Sequence, residues 1–292
     1  MLFAYNRKGT LQQTVESLLQ NEESAESDLY VYVDGPRTSV DGDEVKVREV
    51  CDYVRQIQGF RTVHVNESET NRGLGPSIIR GVTEIISRYG RAIVLEDDLV
   101  CTSNFLSYMN EALDTLEQNS KVFSVCGYSN AIRKPKDYPY DYYYCPRASS
   151  WGWGTWKDRW ESVDWNLDDW NEVKAGRRAF NRWGGSDCFG MLQNWKEGKN
   201  QSWAIRFCYS QFVQDKVSLF PVYSKIGNNG FDGNGTNCRK WSRFRCETDG
   251  VCSKEYVFPK NTDVNRLIVK SALSYHSLPM RAFSRIMYLI SR

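Results

Sequence analysis

The sequence predicts an α/β fold in which a mostly parallel sheet is wound between helices and a Trp-rich half is appended. Two observations carry this prediction. Over residues 1–128, short apolar runs alternate with segments of helical periodicity, which is typical of a parallel sheet with helices on both faces. All ten tryptophans then lie between Trp151 and Trp241. The two halves therefore differ in composition, and we expect them to differ in task.

Five strands are predicted in the first half, at residues 2–5, 29–33, 62–65, 92–95 and 122–125. A helix is expected after each of the first four strands. The first helix is predicted to start at Thr10, which forms a candidate capping box with Gln13. Pro76 suits the first turn of the third helix, where the missing N–H has no intrahelical partner anyway. This alternation predicts parallel strands joined by helical crossovers.

Length, charge and cysteine content narrow the class of protein. At 292 residues the chain suits one large domain or two small ones, and we divide it into residues 1–128, 129–240 and 241–292. A net charge of only +2 gives no case for a nucleic-acid partner. No run is apolar enough to span a membrane, and no signal-peptide pattern opens the chain. Nine cysteines without CxxC pairs predict reduced thiols in a cytoplasmic protein, and metal binding by the 238–252 cluster stays open.

The stretch RAIVLEDDLV places three acids, Glu96, Asp97 and Asp98, directly after an apolar strand. Two unit charges 4 Å apart repel by about 1 kcal/mol in water and about 4 kcal/mol near a protein surface. In wound sheets, ligands bind beyond the carboxyl ends of the strands, and oxygen ligands there suit Mg²⁺ or Mn²⁺. The alternative is a solvated loop start. In an extended chain, Glu96 and Asp98 would point to one side and Asp97 to the other.

Several motifs follow one another along the chain. They are YNR, VDG, NRGLG and LEDDL in the first half, and SSWGWGTW, GGSDCFGMLQNW and GNNGFDGNG in the second. In this order they resemble the motifs of the GT-A glycosyltransferases. More narrowly, residues 2–237 resemble N-acetylglucosaminyltransferase I and similar bacterial polysaccharide glycosyltransferases. The resemblance implies a GT-A type fold and metal-dependent transfer of a sugar, with inversion, from a nucleotide sugar to a saccharide hydroxyl. It implies a UDP-linked donor and a role in surface polysaccharide or glycan synthesis.

The resemblance also implies roles for individual residues. The donor-binding residues would be Asn6, Arg7, Asp34, Asn71, Arg72, Glu96 and Asp97. Asp34 would contact the base, and Asp98 would be the principal ligand of Mn²⁺ or Mg²⁺. Residues 1–128 become the nucleotide-sugar-binding half, residues 129–240 the acceptor-binding and catalytic half, and residues 241–292 a basic tail.

Two other functions are weighed against this one. A sugar-phosphate nucleotidyltransferase would be expected to carry a Gly-rich, Arg-containing loop after the first strand, which MLFAYNRKGT lacks. A non-catalytic saccharide-binding module would explain the tryptophans but not the three acids. Dinucleotide and P-loop enzymes are not supported, because no Gly-rich fingerprint follows the first strand.

Two segments of the second half are predicted to face substrates. Trp151 and Trp153 lie among glycines, where an indole ring can stack on a sugar; packing in the core is the alternative. Residues 227–237 contain four glycines and are predicted to form a lid that excludes water from the donor, with a plain surface turn as the alternative. The central lid residues are Asn229, Gly230, Phe231 and Asp232.

An inverting transfer needs a base on the acceptor side, and Asp187 is the candidate. It stands at a predicted helix start, where the helix dipole favours the ionised carboxylate. The alternative is that Asp187 caps the helix with Ser186, with Asp232 as the reserve base. Of the two histidines, His64 is predicted to be structural, and a metal-ligand role for His276 stays open.

The tail is basic, with no acid after Asp263. After Pro279, apolar residues recur on one face of a predicted helix; they are Phe283, Ile286, Met287 and Ile290. Such a helix could lie on an anionic membrane, where a lipid-linked saccharide acceptor would be found. Docking of this face on the protein is the alternative. We therefore expect a cytoplasmic protein, with a peripheral position on the inner face of the membrane as an open possibility.

Overall fold

A computed structural model describes residues 1–231 and 242–290. The strands are β1 Leu2–Ala4, β2 Asp28–Val33, β3 Thr62–Glu67, β4 Arg91–Glu96, β5 Leu99–Cys101, β6 Val122–Cys126, β7 Tyr142–Cys145, β8 Trp153–Trp156, β9 Val217–Pro221 and β10 Ile226–Asn228. The helices are α1 Lys8–Leu19, α2 Asp43–Val54, α3 Leu74–Tyr89, α4 Phe105–Leu116, α5 Lys157–Glu161, α6 Trp170–Ala175, α7 Arg177–Gly184, α8 Cys188–Lys196, α9 Trp203–Val213, α10 Arg266–Ser274 and α11 Leu278–Ile290.

Within these described ranges, eight strands form one sheet in the order β3-β2-β1-β4-β8-β6-β9-β7. Strands β3, β2, β1 and β4 are parallel to one another, and β6 is parallel to β9. Strands β8 and β7 run antiparallel to their neighbours. The prediction of an α/β fold with a mostly parallel wound sheet is confirmed. The Trp-rich half, which was predicted to be appended, contributes β7, β8 and β9 to the same sheet. The short ribbon β5–β10 lies beside this sheet and brings Asn228 opposite Leu99.

The predicted helices of the first half are present, with one local difference. Helix α1 begins at Lys8, two residues before the expected start, and no side chain within the described chain caps it. Thr10 therefore lies inside the first turn, where its hydroxyl donates to the carbonyl of Arg7 at 3.1 Å. The predicted capping box at Thr10 is wrong for this reason.

Two apolar layers cover the two faces of the sheet. One contains α1, α2 and α4 with residues such as Leu11, Val50 and Phe105, and the other contains α3 and α9. In the second layer, Trp153 stacks on Trp203 with ring centroids 4.6 Å apart. Large apolar side chains buried in this way each stabilise the fold by about 1.5–3 kcal/mol. The tryptophan-rich half therefore supplies much of the core on this face.

The C-terminal helices pack unequally. Ile268 and Ala272 of α10 are buried against β7 and β9. Along α11, which is described in full, Ser284 is the buried residue, whereas large apolar side chains face solvent. The exposed ones are Leu278, Phe283, Ile286, Leu289 and Ile290. In the part of the chain that the structure describes, each cysteine is a free thiol, and no helix is long and apolar enough to cross a bilayer.

Candidate active site

The three acids meet an arginine at the edge where β1 and β4 end. Arg7 follows β1, and its Nη2 lies 2.8 Å from Oδ1 of Asp97 and 2.8 Å from Oδ2 of Asp98. Strand β4 ends at Glu96, and the chain turns through Asp97 and Asp98 before β5. The chain is therefore not extended here, which was the condition for the two carboxylates to point to opposite sides, and both of them contact Arg7. Both are nearly buried, with 6% and 8% of each residue exposed.

Charge is incompletely balanced in this cluster. Burial raises the pKa of Asp97 to about 6 against the opposing charge of Arg7, and the charge of Asp98 adds to the increase. Burial, reinforced by the charges of Asp98 and Asp97, raises the pKa of Glu96 to about 8. Raised carboxyl pKa values mean that the site resists further negative charge and would gain from an added cation. Arg7 supplies a single positive charge to the two carboxylates that it contacts, Asp97 and Asp98.

Arg7 also has an unused donor. Its Nη1 is buried and finds no hydrogen-bond partner among the described residues. Buried donors in native proteins are paired in the great majority of cases, so an orphan of this kind indicates a ligand atom or water. An oxygen of a bound phosphate would satisfy it.

The described part of the predicted lid lies on Asp98. The backbone N–H of Asn229 donates to the carbonyl of Asp98 at 2.9 Å, and Asn228 Nδ2 lies 3.5 Å from Asp98 Oδ1. A Cβ on Gly230 would stand only 2.4 Å from Asp98 Oδ2, so this backbone approaches as closely as a glycine permits. The ring of Phe231 packs edge-on against Trp151 at 5.9 Å. Asp232 lies outside the described residues.

Asp34 joins the end of β2 to the start of α3. Its Oδ1 accepts from the N–H groups of Gly35 and Arg72 at 3.0 and 2.9 Å, and its Oδ2 from that of Gly73 at 2.9 Å. Asn71 Nδ2 donates to the carbonyl of Gly35 at 2.9 Å. The two predicted donor-binding segments are thus adjacent in space. Contact of Asp34 with a base, and of Asn71 and Arg72 with a donor, stays a prediction.

A further acid, Asp43, was missed by sequence reasoning. It accepts from the Tyr5 hydroxyl, from Asn6 Nδ2 at 2.5 Å and from the N–H of Arg37 at 2.7 Å. Burial alone would raise its pKa, but the hydrogen bond from Tyr5, with those from Arg37 and Asn6, lowers it. Asp43 therefore fixes the predicted donor-binding Asn6. The sequence offered no signal, because an acid in the first turn of a helix is ordinary.

Asp187 belongs to a second buried cluster. Arg147 Nη1 lies 2.7 Å from its Oδ1 and Nη2 3.2 Å from its Oδ2, and His276 Nδ1 is 3.4 Å from Oδ2. Burial by itself would raise the pKa of Asp187, but the hydrogen bond from His276 and the charge of Arg147 hold it well below its ordinary range. Asp187 occupies the N-cap position of α8, yet its carboxylate makes no capping hydrogen bond to any described residue. Simple helix capping is therefore not its role.

Trp151 and Trp153 have different surroundings. Trp151 lines a cavity of about 200 Å³ together with Tyr128, Arg147 and His276. Trp153 is 2% exposed and packs in the core of β8, α5 and α9. The prediction that Trp153 offers a ring to an acceptor is wrong, because its ring is buried against Trp203 and Phe207. His64, predicted to be structural, stacks on Tyr30 in the sheet at 4.4 Å.

Whether the site suits a metal ion depends on the number of carboxylate oxygens that it offers. No group of three or more His, Cys, Asp or Glu side chains suited to a metal occurs among residues 1–231 and 242–290. Mg²⁺ and Mn²⁺ bound with nucleotides commonly take only one or two carboxylates and complete their shell with phosphate and water. Asp98, with Asp97 beside it, fits that requirement if a diphosphate is present. His276 contacts Asp187 rather than Asp98.

Comparisons with known proteins give structural likenesses only. No protein-family model matches the chain, and no curated protein matches it. Mouse xyloside xylosyltransferase 1 in its apo form is 11% identical over 76% of this chain and 83% of that chain, with a TM-score of 0.38. Apo UDP-glucose pyrophosphorylase is 12% identical over 78% of this chain and 93% of that chain, with a TM-score of 0.39. UDP-glucose pyrophosphorylase complexed with UDP-glucose is 14% identical over 78% of this chain and 92% of that chain, with a TM-score of 0.36. Likenesses this weak assign neither an activity nor a substrate to this chain.

Proposed function

We propose that this protein is a metal-dependent glycosyltransferase of GT-A type. It transfers a sugar from a nucleotide sugar, with UDP as the expected nucleotide, to a saccharide hydroxyl with inversion, in surface polysaccharide or glycan synthesis. One observation carries the proposal. Asp97 and Asp98 are nearly buried and pair with Arg7 at the carboxyl edge of a parallel sheet, and Arg7 Nη1 has no hydrogen-bond partner among the residues that the structure describes. A cation and a phosphate oxygen together would satisfy both deficits.

The donor-side residues have separable tasks in this proposal. Asp98 holds Mn²⁺ or Mg²⁺, and Arg7 Nη1 donates to an oxygen of the diphosphate. The bound ion supplies Lewis-acid stabilisation of the charge that develops on the leaving diphosphate. Glu96 and Asp97 accept hydrogen bonds from hydroxyl groups of the donor sugar or ribose. Because these groups are fixed by the fold before the donor arrives, little reorganisation is needed during the reaction.

Other residues bind the nucleotide and exclude water. Asn6 is held by Asp43, and Asp34 by the amides that follow Asn71. In the proposal these side chains and Arg72 line the nucleotide. Asn229 and Gly230 contact Asp98, and Phe231 packs against Trp151. In the proposal these three residues keep water from the donor, which would otherwise be hydrolysed.

The acceptor side is the cavity beside Trp151. An indole ring offers a flat apolar surface to the C–H face of a sugar. Arg147 and His276 line this cavity. Asp187 does not line it but contacts both of these residues. In the proposal this cluster of three residues receives the proton of the attacking hydroxyl, on the side away from the diphosphate.

Binding and turnover can be tested with a panel of nucleotide sugars, with and without Mn²⁺. A ligand present at 100 times its dissociation constant stabilises the folded protein by about 2.7 kcal/mol. We expect Mn²⁺-dependent stabilisation by UDP-sugars and sugar transfer to a saccharide. Asp98→Asn should abolish Mn²⁺-dependent UDP binding with little loss of stability. Asp114→Asn is the matched control, because Asp114 is an exposed acid paired with Arg91.

Two outcomes would contradict the proposal. If Asp98→Asn binds UDP with Mn²⁺ as tightly as the parent, the metal assignment is wrong. Release of pyrophosphate from a nucleoside triphosphate and a sugar phosphate, without sugar transfer, would identify a nucleotidyltransferase instead.

We also infer that α11 contacts an anionic membrane surface. Its solvent side carries Leu278, Ile286, Leu289 and Ile290, and Arg285 is exposed beside them. Apolar residues flanked by cations suit the boundary between lipid headgroups and acyl chains. This contact would hold the enzyme on the inner face of the membrane, close to lipid-linked saccharide acceptors.

A further inference from the structure

The second buried cluster places a histidine in the wall of the cavity beside Trp151. His276 Nδ1 faces Asp187 Oδ2 at 3.4 Å. An ionised carboxylate can only accept a hydrogen bond, so the ring proton is on Nδ1 and the lone pair is on Nε2. Within the described chain, Nε2 has no hydrogen-bond partner, and His276 lines the cavity of about 200 Å³ that Trp151 also lines. An acceptor hydroxyl in this cavity could donate to that nitrogen.

Asp187 is poorly suited to accept the proton itself. Both of its oxygens are engaged by Arg147, and 8% of the residue is exposed. Among the described residues that line the cavity, His276 and Arg147 are present and Asp187 is not. The pKa of Asp187 is held well below its ordinary range by His276 and Arg147, which outweigh burial. A base this weak and this enclosed gives little driving force for proton transfer.

The groups around His276 set its protonation state. Asp187 and Arg147 face it from α8 and from the segment after β7, Arg243 lies nearby, and the ring of Phe244 is 5.3 Å away. Burial lowers the pKa of His276 to about 4, with Arg147 adding to the effect and the hydrogen bond to Asp187 opposing it. The imidazole is therefore neutral at pH 7 with its lone pair available. Once protonated, it would lie against an ionised carboxylate.

The wall of the cavity also links this cluster to the donor edge. Phe244 lines both this cavity and a second one, of about 460 Å³, that is bordered by Asn228, Asn229 and Phe231. Trp151 contacts the rings of Phe231 and Phe244 at 5.9 and 6.1 Å. The histidine thus lies across one aromatic layer from the loop that covers Asp98.

We propose that His276 is the general base of the transfer and that Asp187 is its positioning residue. This inference rests on the proposed function. Nε2 takes the proton of the acceptor hydroxyl while the hydroxyl oxygen bonds to the anomeric carbon of the donor sugar. The electron pair of the breaking C–O bond leaves with the diphosphate. The proton then passes from His276 to solvent.

Nitrogen-15 NMR of the parent protein tests the geometry without any substrate. The chain has two histidines, so His64→Gln leaves a single imidazole to observe. At pH 7.5 we expect the neutral tautomer protonated on Nδ1, with a titration midpoint below the ordinary value. Asp187→Asn should change the tautomer population or the midpoint. An imidazole protonated on Nε2, or one unaffected by Asp187→Asn, overturns the proposal.

Steady-state kinetics then distinguish a general-base role of His276 from a role in packing alone. His276→Gln should lower kcat by about 10²–10⁴-fold, as is typical when a general base is removed, while UDP affinity and donor KM stay close to those of the parent. The acidic limb of the parent's pH–rate profile should disappear in this variant. His64→Gln is the matched control and should keep full activity.

The failures of the two proposals are distinguishable. A parent that transfers sugar, together with a His276→Gln variant of near-parental kcat, contradicts the base assignment alone. A parent that transfers no sugar from any nucleotide sugar contradicts the proposed function, and the assignment of a base falls with it.

Discussion

Arg147 binds both carboxylate oxygens of Asp187, with Nη1 2.7 Å from Oδ1 and Nη2 3.2 Å from Oδ2. The two side chains are only 13% and 9% exposed. A guanidinium and a carboxylate in this parallel arrangement form one of the strongest pairings available to side chains. The pair joins the segment after β7 to the start of α8, and Arg147 lines the cavity beside Trp151.

Removal of Arg147 should destabilise the fold. Arg147→Met leaves the Asp187 charge buried without its main partner, and breaking a buried pair in this way costs about 3–5 kcal/mol. Urea unfolding should show a lower midpoint. Arg48→Met is the control, because Arg48 pairs with Glu44 at 2.7 Å on an exposed face and such pairs contribute less than about 1 kcal/mol. Equal losses in the two variants would contradict the buried pairing.

The stability of the protein should depend on pH through His276. Its pKa is about 4 in the folded chain, against 6.5 ordinarily. Between these values the unfolded chain binds a proton that the folded chain does not, so His276 makes a contribution to stability that rises with pH across this window. That contribution is on the order of 3 kcal/mol. The raised pKa values of Glu96 and Asp97 act in the opposite direction, and they do so in the parent and in the variant alike. Urea titrations from pH 4.5 to 7.5 should therefore show a difference in stability between the parent and His276→Gln that shifts in favour of the parent as pH rises. A difference that does not change with pH would argue against a depressed pKa of His276.

A methyl group at Gly230 should weaken donor binding. The added Cβ would stand 2.4 Å from Asp98 Oδ2, so the loop or the carboxylate must shift; overpacking of this kind costs about 1–3 kcal/mol. Gly230→Ala should therefore reduce Mn²⁺-dependent UDP affinity, by about 5- to 150-fold in calorimetry, if the shift falls on the carboxylate. Gly190→Ala is the control, since a Cβ there meets no atom within 4 Å. Unchanged UDP affinity in Gly230→Ala would show that the loop does not lie over the bound donor.

Membrane association should depend on the exposed side of α11. The double substitution Ile286→Ser and Leu289→Ser removes two large apolar groups that are 55% and 68% exposed, and Arg285→Gln removes a neighbouring charge. Both variants should float less with anionic liposomes than the parent does, and the parent should not float with neutral ones. Equal recovery of the parent and a variant lacking residues 279–292 would remove the membrane contact from the proposal.

The meeting of polar residues at one edge of the sheet could be predicted from the sequence because it depends on local order. The carboxyl ends of parallel strands meet at one edge of a sheet, so the polar residues after β1, β2 and β4 were expected together. Arg7 does contact Asp97 and Asp98 there. The orientation of the two aspartates could not be predicted, because apolar periodicity does not show at which residue a strand ends and a turn begins.

Contacts between segments far apart in the chain could not be predicted. Asp43 and Asn6 are separated by 37 positions, and Arg147 and Asp187 by 40. No spacing rule connects such residues, because their proximity arises only when helices and strands pack. Asp43 and Arg147 were missed for this reason, although each positions a residue that the motifs had identified.

The sequence by itself determined the α/β class, the order of the strands and helices of the first half, and the placing of polar residues at the ends of strands. The apolar periodicity of a segment and the polar residues that follow a strand are local properties, so they can be seen directly in the sequence. Only the tertiary structure decided which charges are paired, which tryptophan faces a cavity, and which charged groups surround His276. His276 lies 89 positions from Asp187. Burial and distance between such groups set their protonation and availability, and both quantities exist only once the sheet and its covering helices have packed.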